Sequence, residues 1–349
     1  MSPVGNFRSS TRVVIAHRGA SGRLPEQTLE AFDLAIDQGA DAVELDLVPT
    51  RDGVLLARHE NQLSVTTDVA DHPAFESRRM TREIDGKSIT GWFAEDFLAS
   101  EIGSLRARQR FVFRDRSNDN RFSAPTLHDV LEWLIRRRRS LGRDVGLFIE
   151  IKHPTYFARI GFDMADLLRR TLVDHELVHS ESGIFAMSFE TRVLHDLRAR
   201  TDLPLIQLLD APQLQPFDWT DSGDPRTFAD MMTSRGLAEI SQYAIGIGPC
   251  KRLLVPTRDS DADGMANDTV HLAGATSLIS NAHAAGLIVC PWTFRDEPQF
   301  LAAEYAGDPK REYQHYFGLG VDAVITDFPD TAVAARAPDS SIANRQSQI

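Results

Sequence analysis

Three short segments near the start of the chain bring together residue types suited to proton transfer and cation binding. They are His17-Arg18-Gly19, Glu44-Leu45-Asp46 and Arg58-His59-Glu60, each at the edge of an apolar run. Paired histidines exchange protons near neutral pH, carboxylates hold hard cations, and an arginine stabilises negative charge. Together they are the components of metal-assisted acid/base chemistry on an anionic substrate. A later segment, Glu150-Ile151-Lys152, repeats the alternation of Glu44-Leu45-Asp46. In a strand, such alternation sends the charged residues to one face and the apolar ones to the other.

The elements that must position these residues read as strands alternating with helices. Apolar strands are expected at Val13–Ala16, Val43–Val48, Val54–Ala57, Leu147–Ile151, Ile184–Met187, Leu205–Leu208, Ala244–Ile247, Leu287–Cys290 and Ala323–Thr326. Thr50-Arg51-Asp52-Gly53 is a hairpin turn, which makes Val54–Ala57 a return strand and sets Glu44 opposite His59. Removing that return leaves eight strands, the number a (β/α)8 TIM barrel requires. A helix is expected over Pro25–Gln38, with Pro25 at its first position and Gly39 as its stop. Another begins at Thr126, a capping residue with Asp129 three places on. Residues 61–125 interrupt the rhythm. This polar stretch is read as an insertion on the barrel rim, anchored by Trp92, Phe93, Phe97 and Phe111, and too long for an ordinary connection. The single barrel domain spans 13–334, between an N-terminal extension (1–12) and a tail (335–349) expected to fray.

In a TIM barrel the C-terminal ends of the strands carry the active site. His17 and Arg18, Glu44 and Asp46, Glu150 and Lys152, and Asp327 all fall at such ends. Three carboxylates in one barrel mouth repel one another unless a cation neutralises them. An all-oxygen set suits Ca²⁺ or Mg²⁺ rather than zinc or copper. The competing reading is a buried salt-bridge network with Arg18 and Lys152. The stretch Asp259-Ser260-Asp261-Ala262-Asp263-Gly264 matches the start of a calcium loop. The position for its closing glutamate, however, is Val270, so a turn with solvated aspartates is the expectation.

Composition bounds the partners. The chain has 349 residues, 42% of them hydrophobic, and a formal charge of −12. That acidity argues against a nucleic-acid partner and requires any phosphate site to be locally positive. No apolar run is long enough to span a bilayer, and Met1–Arg12 lacks the core of a secretory signal. The chain as written therefore reads as cytoplasmic, or as exported with its signal removed. Two cysteines, Cys250 and Cys290, are too few for a disulfide scaffold.

The combined motifs resemble the glycerophosphodiester phosphodiesterase family. They are His17-Arg18-Gly19-Ala20-Ser21-Gly22, Pro25-Glu26-Gln27-Thr28, Glu44 with Asp46, His59, Gly91-Trp92-Phe93, Glu150 with Lys152, Ser188-Phe189, Pro291-Trp292-Thr293-Phe294-Arg295 and Thr326-Asp327-Phe328-Pro329. The resemblance implies a (β/α)8 barrel that hydrolyses glycerophosphodiesters to sn-glycerol 3-phosphate and an alcohol. It also implies His17 and His59 as the acid/base pair and Glu44, Asp46 and Glu150 as ligands of one divalent cation, Ca²⁺ or alternatively Mg²⁺. Arg18 and Lys152 would meet the phosphate, with Phe189 and Trp292 on the glycerol side. The insertion resembles that of exported bacterial members. Those usually have arginine where this chain has Val65 and glutamine where it has Met187, departures that bear on substrate preference. The implied partner is a small-molecule diester, without integral membrane contact. A phospholipase-type relative would need an exposed apolar surface near the mouth, which the polar insertion does not advertise. A silent binding protein of this fold would lack a histidine or a metal carboxylate, and none is missing.

Overall fold

The computed structural model describes residues 12–259 and 270–336. Its framework is β1 Val13–His17, β2 Ala42–Pro49, β3 Gly146–Ile151, β4 Ile184–Ser188, β5 Leu205–Leu209, β6 Gly246–Pro249, β7 Ile288–Val289 and β8 Ala323–Thr326, with helices between successive strands. The strands hydrogen-bond in the order β7-β6-β5-β4-β3-β2-β1-β8. Asp322 N–H donates to Val289 O and Ile325 N–H to Pro291 O, each at 3.0 Å, which links β8 back to the β7 segment. The ring is a (β/α)8 TIM barrel.

The two-residue period of each strand divides its side chains between two cores. Val13, Ile15, Ala42, Phe148, Phe185, Ile206 and Ile325 pack inside the barrel. Val14, Ala16, Val43, Leu45, Leu147 and Ile149 pack outward with helix residues such as Phe32 and Val130. Continued toward the strand ends, the inner parity reaches His17, Glu44, Asp46 and Glu150. The polar residues thus cap a column whose lower layers are apolar, as expected where a barrel core meets its active face.

Local departures from the sequence expectation have identifiable causes. The first helix begins at Leu29, not Pro25: Thr28 is its cap, accepting from Ala31 N–H, and Gln27 takes a left-handed φ of 59°. Pro25–Gln27 instead loops back, with Gln27 N–H donating to Arg18 O at 3.1 Å. Gly39 follows at φ 92° and ends that helix as expected. The return strand, Leu55–Ala57, pairs Leu47 with Ala57, and Arg58 N–H donates to Asp46 O. This register is one residue from the expected one and leaves His59 beyond the ladder rather than opposite Glu44. β6 starts two residues later than expected, because Tyr243 and Ala244 N–H are still donating to Ile240 O. The capping box at Thr126 and Asp129 is present, opening the helix Leu127–Leu141. The C-terminal helix Pro329–Arg336 runs past the expected fraying point, with Ala335 buried and Arg336 paired to Asp41. Residues 1–11 and 337–349 and the calcium-loop match from 260 to 264 lie outside the described residues.

The insertion holds more regular structure than its sequence suggested. Met80–Ile84 and Lys87–Gly91 form a hairpin whose Asp85-Gly86 turn takes φ values of 48° and 75°. That is the Asp-Gly signature of a two-residue hairpin. Phe93 and Phe97 are fully buried, and they share one hydrophobic cluster with the outer barrel residues. Phe111 is only half-buried. Because Phe93 sits in that common core, Phe93→Ala should lower the unfolding free energy by ~3–5 kcal/mol. The expected result in urea is one displaced transition. A wild-type curve in which the insertion melts separately would show that the two do not share a core.

Candidate active site

His17 ends β1, and the chain then reverses through Arg18 and Gly19, at φ 57° and 84°. This turn points the Arg18 N–H at Glu44 Oε2, 2.9 Å away. In the parallel ladder His17 is level with Glu44, and Asp46 is level with Glu150. Ligand oxygens of Glu44, Asp46 and Glu150 all lie within 4.8 Å of one another. Asp46 Oδ2 accepts from Gln27 Nε2 at 2.6 Å and ion-pairs with Arg18 Nε at 3.1 Å. Its other oxygen, Oδ1, is buried without a hydrogen-bond partner among the described residues. Burial and the adjacent Asp46 charge push the Glu44 carboxyl well above its ordinary range. An oxygen without a hydrogen bond, a carboxyl pushed toward its neutral form by its surroundings and an oxygen-only donor set fit a hard divalent cation.

Each histidine is backed by a carboxylate, and each carboxylate by arginine. His17 Nδ1 lies 2.6 Å from Asp327 Oδ1, while Asp327 Oδ2 accepts from Arg114 Nη2 at 2.6 Å and Arg295 Nε at 2.9 Å. Burial alone would raise Asp327, but His17, Arg295 and Arg114 hold it well below its usual range. His59 Nδ1 lies 2.6 Å from Glu60 Oε1, and Arg110 grips Glu60 through two bonds of 2.8 and 2.6 Å. Arg110 also bonds both oxygens of Glu26, which in turn accepts from Arg18 at 3.1 Å. A chain of alternating charge therefore runs from the insertion to the carboxylates at the barrel mouth.

The imidazoles respond to this surrounding charge. Burial, then the Arg18 and Lys152 cations, push His59 down to about 4. Burial and Arg18 also lower His17, against the opposing pull of Asp327. Lys152 Nζ is 2.6 Å from Glu150 Oε1 and 3.2 Å from His59 Nε2. Burial opposes its charge, but Glu150 and Asp46 raise its pKa on balance. An ammonium only donates, so His59 Nε2 must be the acceptor in that contact, leaving the ring proton on Nδ1 facing Glu60.

Of the sequence-predicted residues, His17, Arg18, Glu44, His59, Glu150, Lys152, Phe189 and Trp292 line one cavity of about 1280 Å³. Asp46, fully buried, lies beneath its surface. Phe189 and Trp292 meet edge to face at 5.6 Å, and Trp292 Nε1 is anchored on Gly248 O at 2.7 Å. Arg18 is brought to the site, but its guanidinium is already paired with Glu26 and Asp46. Arg110 and Arg114 were not anticipated. They sit in a polar insertion with no periodicity, and nothing in sequence distance ties them to Glu60 or Asp327. Glu60 and Gln27 lay inside recognised motifs, and adjacency to His59 was the available signal for Glu60.

Known proteins resemble this chain along most of its length. The model of the glycerophosphoryl diester phosphodiesterase family matches residues 17–331. The chain is 34% identical over 327 residues to glycerophosphodiester phosphodiesterase GDPD6 of Arabidopsis thaliana, covering 90% of this chain and 83% of that one. It is 29% identical to the glycerophosphodiester phosphodiesterase of Haemophilus influenzae, covering 93% and 89% respectively. Among solved structures, a phosphodiesterase of Oleispira antarctica in complex with the product sn-glycerol-3-phosphate shares the fold with a TM-score of 0.60 and 18% identity, over 94% of this chain and 98% of that one. A glycerophosphodiester phosphodiesterase from Agrobacterium tumefaciens does so at 0.59 and 19%, over 93% and 100%. With its barrel, its paired histidines and a family match over nearly its whole length, the chain belongs to the glycerophosphoryl diester phosphodiesterase family and is a phosphoric diester hydrolase.

Proposed function

We propose that this protein hydrolyses glycerophosphodiesters to sn-glycerol 3-phosphate and an alcohol, with His59 as base, His17 as acid and a divalent cation at Glu44, Asp46 and Glu150. The observation that carries this reading is the pair of carboxylate-backed histidines lining one cavity with Glu44 and Glu150. The Oleispira relative, whose structure holds sn-glycerol-3-phosphate, supports the substrate class. Bound there, Ca²⁺ (or Mg²⁺) would offset the negative charge that builds on the phosphoryl oxygens.

The residues of the chain divide the remaining work. His59 is held with its Nε2 lone pair available, and its contact with Lys152 can give way to a substrate hydroxyl. That nitrogen takes the proton of the glycerol hydroxyl next to the phosphate, whose oxygen attacks phosphorus. His17, oriented by Asp327, delivers a proton to the departing alcohol oxygen. Water then opens the cyclic phosphate with the two histidines in exchanged roles. Lys152 and Arg18 bring positive charge to the phosphate, and the apolar edges of Phe189 and Trp292 face the glycerol carbons. No serine or cysteine nucleophile is needed, because the substrate supplies its own.

Three outcomes test this reading. Exhaustive chelation should abolish turnover, with Ca²⁺ or Mg²⁺ restoring it; full activity in chelated protein would overturn the metal assignment. His17→Ala and His59→Ala should each lower kcat by at least ~10²-fold on an alkyl diester, the usual contribution of a positioned acid or base. On a p-nitrophenyl diester, whose leaving group needs no proton, the His17→Ala defect in single-turnover release of p-nitrophenolate should shrink while that of His59→Ala persists. Equal defects on both substrates would overturn the division of roles. Finally, a diester lacking the neighbouring hydroxyl should bind with little change in KM yet scarcely turn over. An unchanged kcat would mean direct attack by water.

A further inference from the structure

The outer faces of β4 and β5 are apolar except at one level. Ile184 and Ala186 on β4, and Leu205 and Leu209 on β5, join the core beneath the helices. At the end of β4, Ser188 and Gln207 share that outer parity, and the parallel ladder sets them level with each other. Gln207 is fully buried. A leucine would fill such a place without taking a carboxamide out of water, so packing alone does not account for the glutamine.

Its hydrogen bonds do. Gln207 Nε2 donates to Phe189 O and Leu208 O at 3.0 Å and lies 3.2 Å from Ser188 O, while Oε1 accepts from the Tyr243 hydroxyl at 2.8 Å. Three carbonyls around the nitrogen fix the direction of the amide. Ser188 with Gln207 is the last ladder pair of β4 and β5, so the side chain extends the pairing by one carbonyl, that of Phe189. Ser188 Oγ in turn donates to Ile151 O at 3.1 Å, one residue before Lys152. From outside the wall, these two residues hold the segments that carry Phe189 and Lys152. Inside the mouth those side chains meet, with Lys152 Nζ over the Phe189 ring at 5.6 Å and the ring edge to face with Trp292 at 5.6 Å. A shift of the Phe189 backbone would move that ring and the seat of the ammonium that touches His59.

We propose that Gln207 is a positioning residue for the reaction: it sets the Phe189 carbonyl, and thereby the ring that lines the glycerol side of the site. The inference deepens the reading given under Proposed function and rests on it. Gln207 does not line the cavity, so it acts only through Phe189. A site whose wall is loosened in this way loses the alignment of substrate with its acid and base, and small misplacements are costly in rate.

The test is a double-variant cycle of Gln207→Met and Phe189→Ala, read as kcat/KM on glycerophosphocholine and as calorimetric affinity for sn-glycerol 3-phosphate. Methionine keeps the length and unbranched shape of glutamine but donates nothing to the Phe189 carbonyl. Alone, Gln207→Met should lower kcat/KM by at least ~10-fold and weaken binding of the phosphate. Beside Phe189→Ala the same substitution should change kcat/KM by less than ~2-fold, because residues that act as a unit are not additive. Gln207→Asn, which keeps an amide but draws it back by one methylene, should give the same pattern and serves if the methionine variant does not fold. Tyr243→Phe removes a buried hydrogen bond from the same glutamine yet leaves Nε2 among its three carbonyls. It should lower the melting temperature while turnover stays at the intact level. A Gln207→Met defect that persists in full beside Phe189→Ala, or an equal loss of turnover in Tyr243→Phe, would reduce the glutamine to a structural role and overturn this proposal alone. An intact protein that neither hydrolyses glycerophosphocholine nor binds sn-glycerol 3-phosphate would overturn the proposed function, and this proposal with it.

Discussion

Three carboxylates crowded under the mouth of the barrel impose the condition that the surrounding structure must meet. Glu44, Asp46 and Glu150 bring ligand oxygens within 4.8 Å of one another and are all buried. Like charges at that range, removed from water, cannot all remain ionised without compensation. Burial first, and then the repulsion from Asp46, push Glu44 upward. Arg18 and Lys152 supply part of the compensation, with Lys152 Nζ 3.9 Å from Asp46 Oδ1, but that oxygen keeps no hydrogen-bond partner among the described residues. A dication would satisfy both the charge and that oxygen.

The same condition propagates outward in alternating charge. Arg18 answers Asp46 and Glu26; Arg110 answers Glu26 and Glu60; Glu60 orients His59. On the other side Arg114 and Arg295 converge on Asp327, which orients His17. Both histidines therefore inherit their positions from networks that end on arginines. These pairs are mostly buried, where removing one member leaves an uncompensated charge. Two of the arginines, Arg110 and Arg114, come from the insertion. The insertion is accordingly part of the site as well as part of the barrel's outer core.

The legibility of this protein from its sequence follows the range of the interactions involved. Strand parity is a local property, so the alternations Glu44-Leu45-Asp46 and Glu150-Ile151-Lys152 were enough to assign all three carboxylates to the interior. All eight barrel strands and the return strand were readable for the same reason. So were the caps at Thr126 and Gly39, which depend on side chains within a few positions. The motifs supplied His17, His59 and the family resemblance. What only the tertiary structure decided were contacts between distant segments. No pattern within the insertion announces that Arg110 reaches Glu60 or that Arg114 and Arg295 share Asp327. The helix expected from Pro25 failed because Gln27 is drawn into a left-handed turn beside Arg18 and Asp46, a tertiary demand that outweighs local propensity. The return strand slipped by one residue because turn chemistry bounds a hairpin's register only to within a residue or so. The contact of Phe111 with Phe300 was invisible because more than half of the chain separates the two residues, and only packing brings their rings together.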